Sequence, residues 1–341
     1  MGRRMWALER LEKLMRRRGP LVDCHRHLAS ECILNGERYA DISQGLHLSG
    51  KWGLMDAIKK EPFYLRGLSR RFDEAIGGMV EQGIGYCRTY CEVDSSVGLV
   101  VLDAMLEAQK RWLLRGFYLQ IAAYPFKGIK DSQERDFACR ALERADLLGC
   151  LPSRGRQSER DEETTKNNMF LLFQMAHDLK KPIDLQVDQD NDPDERESYW
   201  LVAVADHFRT MGYEQPITAT HCISLAAYRR EEWSLRDRIL EQMRKLDISI
   251  IVCPSAALGM TQRVMKDAPI HNSIAPIPLL LEKGIVVGLG SDNVSDIYEP
   301  FVAGDIRDEM RKMLTVVRWT GLLETIADIM TVNGRKILGV E

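Results

Sequence analysis

Eight short runs dense in β-branched and aliphatic residues recur along the chain, separated by longer segments with helical spacing. The runs are LVDCHRHL (21–28), IGYCRTYC (84–91), FYLQIAAYP (117–125), LLGCLP (147–152), PIDLQVD (182–188), PITATHC (216–222), ISIIVCPSA (248–256) and GIVVGLGSD (284–292). Such alternation is the signature of parallel strands joined by crossover helices. The intervening text supplies the helices: RRFDEAIGGMVEQG (70–83), LDAMLEAQKRW (102–112) and TKNNMFLLFQMAHDLKK (165–181). In the last of these, Met169, Leu172, Phe173 and Ala176 form one apolar stripe, as suits a helix packed outside a sheet. Eight strands with interleaved helices over residues 21–292 predict a (β/α)8 barrel rather than an open doubly wound sheet.

No linker, repeat or low-complexity tract divides the sequence, so residues 1–341 read as one domain. A helix over 3–18, within residues 1–19, precedes the barrel. The stretch 29–68 reads as a long, partly structured loop overhanging the carboxyl ends of the strands. The segment SRGRQSERDEE (153–163) reads as a solvated loop and helix start.

Composition narrows the partners. Lys and Arg total 47 against 50 Asp and Glu, a formal charge of −3 that leaves no basic excess to hold a nucleic acid. No apolar run approaches a membrane span, and the basic amphipathic start lacks the apolar core and cleavage site of a secretory signal. Trp6 stands where N-myristoylation needs Ser or Thr. The eight cysteines show no CxxC spacing. Cys24, Cys87, Cys139, Cys150, Cys222 and Cys253 lie in apolar or strand-like text, which predicts reduced core thiols and a cytoplasmic protein.

Side chains at the carboxyl ends of barrel strands converge on one mouth, while the strand middles are expected to be apolar filling. The first strand closes on His25-Arg26-His27, two imidazoles that share a side because strand side chains alternate. The fifth closes on Gln186-Val187-Asp188-Gln189-Asp190, the sixth on His221 and the eighth on Ser291-Asp292. Imidazole nitrogen and carboxylate oxygen suit Zn²⁺ or Fe²⁺. His25, His27, His221 and Asp292 therefore form a candidate centre for one divalent ion.

The ordered set of HxH on strand 1, a strand 5 motif, His221 in ITATHC and Asp292 in GLGSDNVSD resembles the amidohydrolase superfamily, with the cytosine deaminase and N-isopropylammelide amidohydrolase branch nearest. The likeness covers most of residues 20–335, including GIGYCRTYCEVD (83–94), LQIAAYPFKGI (119–129) and SDNVSDIYEP (291–300). It implies that His25 and His27 are metal ligands and that Asp292 is both a ligand and the base that deprotonates the attacking water. It further implies that His221 polarises the substrate. The family's flanking β-sandwich is expected to be absent, given the little sequence before the first strand and after the eighth helix.

Two departures bear on chemistry. The family's fifth strand carries His-x-Asp-Glu, whereas this chain has Gln186-Val187-Asp188-Gln189. A carboxamide is a weak ligand and moves no proton near neutral pH. Gln186 is thus expected to be a weak ligand or to orient water. Gln189 stands at the catalytic Glu position, with Asp188 or Asp190 as possible replacement shuttles. Phe126 replaces the Gln that grips cytosine in the branch, so a more apolar pocket and a nitrogen heterocycle other than cytosine are expected. Lys127, Asp188, Ser291, Asn293 and Tyr298 are further candidates for substrate contact.

The likeness implies a metal-dependent hydrolase of carbon–nitrogen or related bonds in a small molecule. The substitutions leave two alternatives open: a metal-free hydrolase using Asp292 and His221, or a non-catalytic small-molecule-binding homologue. A homo-oligomer built on the outer helices is compatible with the fold. The glycines of GIGYC precede a strand rather than follow one, so no dinucleotide fingerprint is present. P-loop, GxSxG and PCxxC signatures are also absent. Cys24 and Cys222, each beside a site histidine, are expected to point outward.

Overall fold

The computed structural model describes residues 5–42, 45–46, 48–155, 161–260 and 267–340. All eight expected strands form: β1 (Leu21–Arg26), β2 (Ile84–Glu92), β3 (Tyr118–Tyr124), β4 (Leu147–Cys150), β5 (Ile183–Val187), β6 (Ile217–His221), β7 (Ile248–Val252) and β8 (Val287–Leu289). They run parallel in sequential order, each paired with the next. The amide of Asp292 donates to the His25 carbonyl at 2.8 Å and the amide of His27 donates to the Asp292 carbonyl at 3.2 Å, which joins the last strand to the first. The result is a (β/α)8 barrel.

The three expected crossover helices lie at Leu68–Glu81, Val100–Leu113 and Glu162–Asp178. Met169, Leu172, Phe173 and Ala176 are all fully buried against the sheet. The leading helix, Trp6–Arg18, buries Leu11, Leu14 and Met15, and Arg18 pairs with Asp328 in the helix Leu323–Met330. Residues 3 and 4 of the expected first helix, and 156–160 of the expected solvated loop, lie outside the described residues.

Four expectations need correction. The stretch 29–68 is largely helical, with helices at Gly36–Ile42, Leu48–Lys59 and Pro62–Arg66. Lys59 and Tyr64 are buried there, reaching Glu92 at 2.9 Å each. Satisfied polar anchors of this kind are what loop-like composition conceals.

The barrel interior is also not purely apolar. Arg88 is buried within it, donating to Asp184 at 2.6 Å, Gln120 at 2.8 Å and Thr218 at 3.2 Å. Each charge is paired, which offsets its desolvation.

Not every cysteine named above is core. Cys139 is half-buried on the helix Ser132–Leu142 because that position faces between stripe and solvent. All eight thiols are unpaired. Cys24 does not point outward as expected. It packs with Val22, Ile251, Cys253 and Ile337 in the cluster that includes Tyr86 and Tyr118, on the same side of the strands as Arg88 and Gln120, because a register shift between Asp23 and Arg26 breaks the alternation of the first strand.

Candidate metal and catalytic centre

Each donor is placed by the end of a strand. On β1 and just past it, alternation puts His25 and His27 on one side and turns Arg26 to the other, where it donates to Glu31 at 2.7 and 2.9 Å and to Asp23 at 3.3 Å. His221 at the end of β6 and Asp292 just past β8 have φ of 77° and 61°. Non-glycine residues in this left-handed region each cost about 1–3 kcal/mol and persist only where the surroundings enforce them. Both outliers sit at the mouth.

The four side chains meet. His25 Nε2 lies 3.2 Å from His27 Nε2, and each lies 3.5 Å from Asp292 Oδ1. His221 Nε2 lies 3.8 Å from Asp292 Oδ2. His25, His221 and Asp292 offer donor atoms all within 4.8 Å of one another. Two nitrogens bound at about 2.1 Å to one tetrahedral ion would be separated by about 3.4 Å. The observed spacing of the imidazole pair is close to that.

Electrostatics agree. Burial lowers His27 to about 3 and His221 to about 4, so both rings are neutral at neutral pH with lone pairs to offer. Burial works against ionisation of Asp292, but the imidazoles of His25, His221 and His27 outweigh it and hold the carboxyl well below its usual range. Neutral imidazoles around an ionised carboxylate are a donor set for a divalent cation. The His25 ring is held by Tyr90, with centroids 4.0 Å apart.

Gln186 shares parity with Asp184, which bonds Arg88 inside the barrel, so it faces the lumen. Its amide nitrogen is buried without a hydrogen-bond partner among the described residues. The unmet group is an N–H donor, whereas a carboxamide ligates a cation through its oxygen, so this atom does not by itself mark Gln186 as a ligand. Gln189 is buried.

Asp188 is not brought to the imidazoles. It is fully buried, and its carboxylate accepts from the amide of Ser198 at 3.1 Å and from the Ser198 hydroxyl. It groups instead with Glu195 and Glu197. A φ of 53° turns it out of the strand's alternation, which the sequence pattern could not reveal. Asp190 is half-buried, with its amide on Glu195.

The substrate candidates divide. The Ser291 hydroxyl is fully buried and donates to Asp23 Oδ2 at 2.6 Å. Asn293 donates to Asp296, and Lys127 donates to Ser95 at 2.8 Å on the rim. Phe126 is buried, but cations cover it: Lys59 Nζ is 3.3 Å and Arg154 Cζ 4.6 Å from the ring centroid. The surroundings of Phe126 are therefore more polar than the apolar pocket expected there. The Tyr298 hydroxyl is buried with no partner among the described residues.

Glu299 went unnoticed in the sequence. Burial, with the charge of Asp292 next, raises its carboxyl to about 8. Glu299 Oε1 lies 2.6 Å from where a Cβ on Gly259 would stand, so the carboxyl packs on the end of the helix Pro254–Gly259. Its only sequence signal is membership of the loop that follows Asp292.

Fold and centre together define a (β/α)8-barrel protein with an imidazole–carboxylate centre at the carboxyl ends of its strands. The chain belongs to the amidohydrolase family, whose model matches residues 155–341. It is 24% identical to the N-isopropylammelide isopropyl amidohydrolase of Pseudomonas sp. (strain ADP), over 94% of this chain and 74% of that protein. It is 22% identical to the pterin deaminase of Rhizobium rhizogenes (strain K84 / ATCC BAA-868), over 84% of this chain and 64% of that protein, so it spans just under two thirds of that relative's length. Among solved structures, a 5-methylcytosine deaminase from Klebsiella pneumoniae liganded with 5-fluorocytosine superposes with a TM-score of 0.78. That match has 22% identity and covers 94% of this chain and 75% of that one. It corroborates the barrel. Among the described residues no helix is long and apolar enough to cross a membrane.

Proposed function

We propose that the protein is a metal-dependent hydrolase that cleaves a carbon–nitrogen bond in a small nitrogen heterocycle other than cytosine. The observation that carries this reading is the convergence of His25, His27, His221 and Asp292 at the barrel mouth. His25, His27 and Asp292 would hold one Zn or Fe ion, with Gln186 as a weaker donor. Such an ion, when bound, supplies Lewis acidity and lowers the pKa of a coordinated water to about 7.

The remaining chemistry falls to the chain. Asp292 is ionised at neutral pH and can accept the proton of the attacking water at a carboxylate oxygen. His221 is neutral and faces Asp292 Oδ2, so its Nε2 can steady either the nucleophile or the substrate oxygen. A leaving nitrogen needs a proton, and neither Gln186 nor Gln189 can give one. Glu299, still protonated at neutral pH beside Asp292, is the group whose state fits that task. Eight unpaired thiols support a reducing, cytoplasmic setting.

The two carboxamides at Gln186 and Gln189 favour one second reading, a small-molecule binder without turnover. Release of ammonia or amine from a panel of amino- and oxo-substituted pyrimidines, triazines and pterins, measured on protein supplemented with Zn²⁺ or Fe²⁺, decides between them. Turnover that falls at least about 10³-fold in both His221→Ala and Asp292→Asn is expected. Turnover that survives Asp292→Asn, or none on any member, contradicts the proposal.

A further inference from the structure

Arg154 lies four residues beyond the last residue of β4 and is only 7% exposed. Its guanidinium carbon stands 3.9 Å from the Trp52 ring centroid and 4.6 Å from that of Phe126. Nε donates to the Phe126 carbonyl at 2.7 Å. Its own carbonyl accepts from the Asn168 amide at 3.1 Å. Among the described residues, two aromatic contacts and one hydrogen bond fix the guanidinium and use one of its five N–H donors.

What is missing is a counter-ion. Among the described residues no carboxylate pairs with Arg154. The nearby acids Glu92 and Asp94 are held by Lys59, at 2.9 and 2.8 Å, and the Tyr64 hydroxyl also donates to Glu92. A buried guanidinium is stable in water-poor surroundings when an anion or several acceptors complete it.

Its position connects it to the centre. The His27 ring lies 5.6 Å from that of Tyr124, and Tyr124 lies 6.2 Å from Phe126, on which Arg154 stacks. Arg154 is among the charges that act on the phenols of both Tyr124 and Tyr298. The Tyr298 hydroxyl is the buried, unpartnered donor noted above. A fixed planar cation, two aromatic rings removed from His27, and an idle buried hydroxyl that feels its charge suit a planar anionic group.

We infer that Arg154 and the Tyr298 hydroxyl form an anion subsite, and that the substrate heterocycle carries a carboxylate or a comparable planar anionic substituent. This rests on reading the barrel mouth as the substrate site proposed above. The carboxylate would accept from the guanidinium N–H groups and from Tyr298, while the ring spans toward His27 and Asp292.

The test is calorimetric binding by the purified full-length chain of matched cyclic amides with and without a ring carboxylate. The pairs are orotate with uracil, and 6-hydroxynicotinate with 2-hydroxypyridine. In at least one pair the anion should bind about tenfold tighter or more, as a charge-assisted contact implies. Arg154→Met should remove that preference while leaving the neutral member within about threefold. Tyr298→Phe, which keeps the ring, should weaken only the anion and serves if Arg154→Met fails to fold. Equal or weaker binding of both anions by the wild type overturns the inference, as does no binding of either below about 5 mM, or a preference that survives the substitutions. Binding is read without turnover, so an inert protein that keeps the preference would sink the hydrolase reading alone. Turnover confined to neutral heterocycles would sink the anion subsite alone.

Discussion

At the scale of single residues, Ser291 and Glu299 show how neighbours reassign a side chain. Ser291 directly precedes the site aspartate, yet its hydroxyl and amide both go to Asp23, at 2.6 and 3.0 Å. Ser291→Ala should therefore cost about 1–3 kcal/mol by depriving a buried carboxylate of a donor. Denaturant unfolding should register this, while KM per folded molecule stays within about twofold. A large KM effect without loss of stability would restore the substrate role.

Glu299 carries the pH prediction. Its carboxyl is raised from 4.5 to about 8, so as an acid it is competent below about 8 and the rate should fall as pH rises through that value. Between these two values the folded chain binds more protons than the unfolded one, so the same group lowers stability as pH rises. Glu299→Gln should reduce kcat at least about 10²-fold, abolish the alkaline limb and flatten the stability slope. An unchanged pH–rate profile would remove Glu299 from the mechanism. His25, His27, His221 and Asp292 were legible in the sequence because strand ends and two-residue periodicity place them. Glu299, Arg154 and Asp23 were not, since their roles arise from contacts between separate loops or across the closing strands.

At the scale of elements, the centre straddles the seam where β8 meets β1. The eighth strand has only three residues, with Gly288 inside it and Gly290 directly after it, so that it can approach the first closely. A Cβ on Gly290 would lie 2.6 Å from the Cβ of His25 and 3.0 Å from its backbone nitrogen and oxygen. Gly290→Ala should destabilise the fold by about 1–3 kcal/mol through overpacking and lower metal affinity in the same molecule. A variant that unfolds early but binds metal normally would separate the seam from the site. Strand positions were readable because buried parallel strands are continuous apolar runs. The helices within 29–68 were not, because the apolar stripe that Leu48–Lys59 buries is short, Met55 and Ile58, and stands beside a lysine that is itself buried by pairing with Glu92 and Asp94.

At the scale of the whole molecule, parallel pairing of eight strands gathers residues 25, 27, 221 and 292 from opposite ends of the chain into one mouth. Left-handed backbone at His221 and Asp292, and burial of all four side chains, are costs that a bound cation would offset by favouring the folded state. The most direct test is a crystal grown with Zn²⁺, with diffraction recorded on both sides of the zinc absorption edge. One anomalous peak within about 2.5 Å of His25 Nε2, His27 Nε2 and Asp292 Oδ1 is the result expected. No peak among those atoms at full zinc loading, or one held only by the Asp188, Glu195 and Glu197 cluster, would contradict the account.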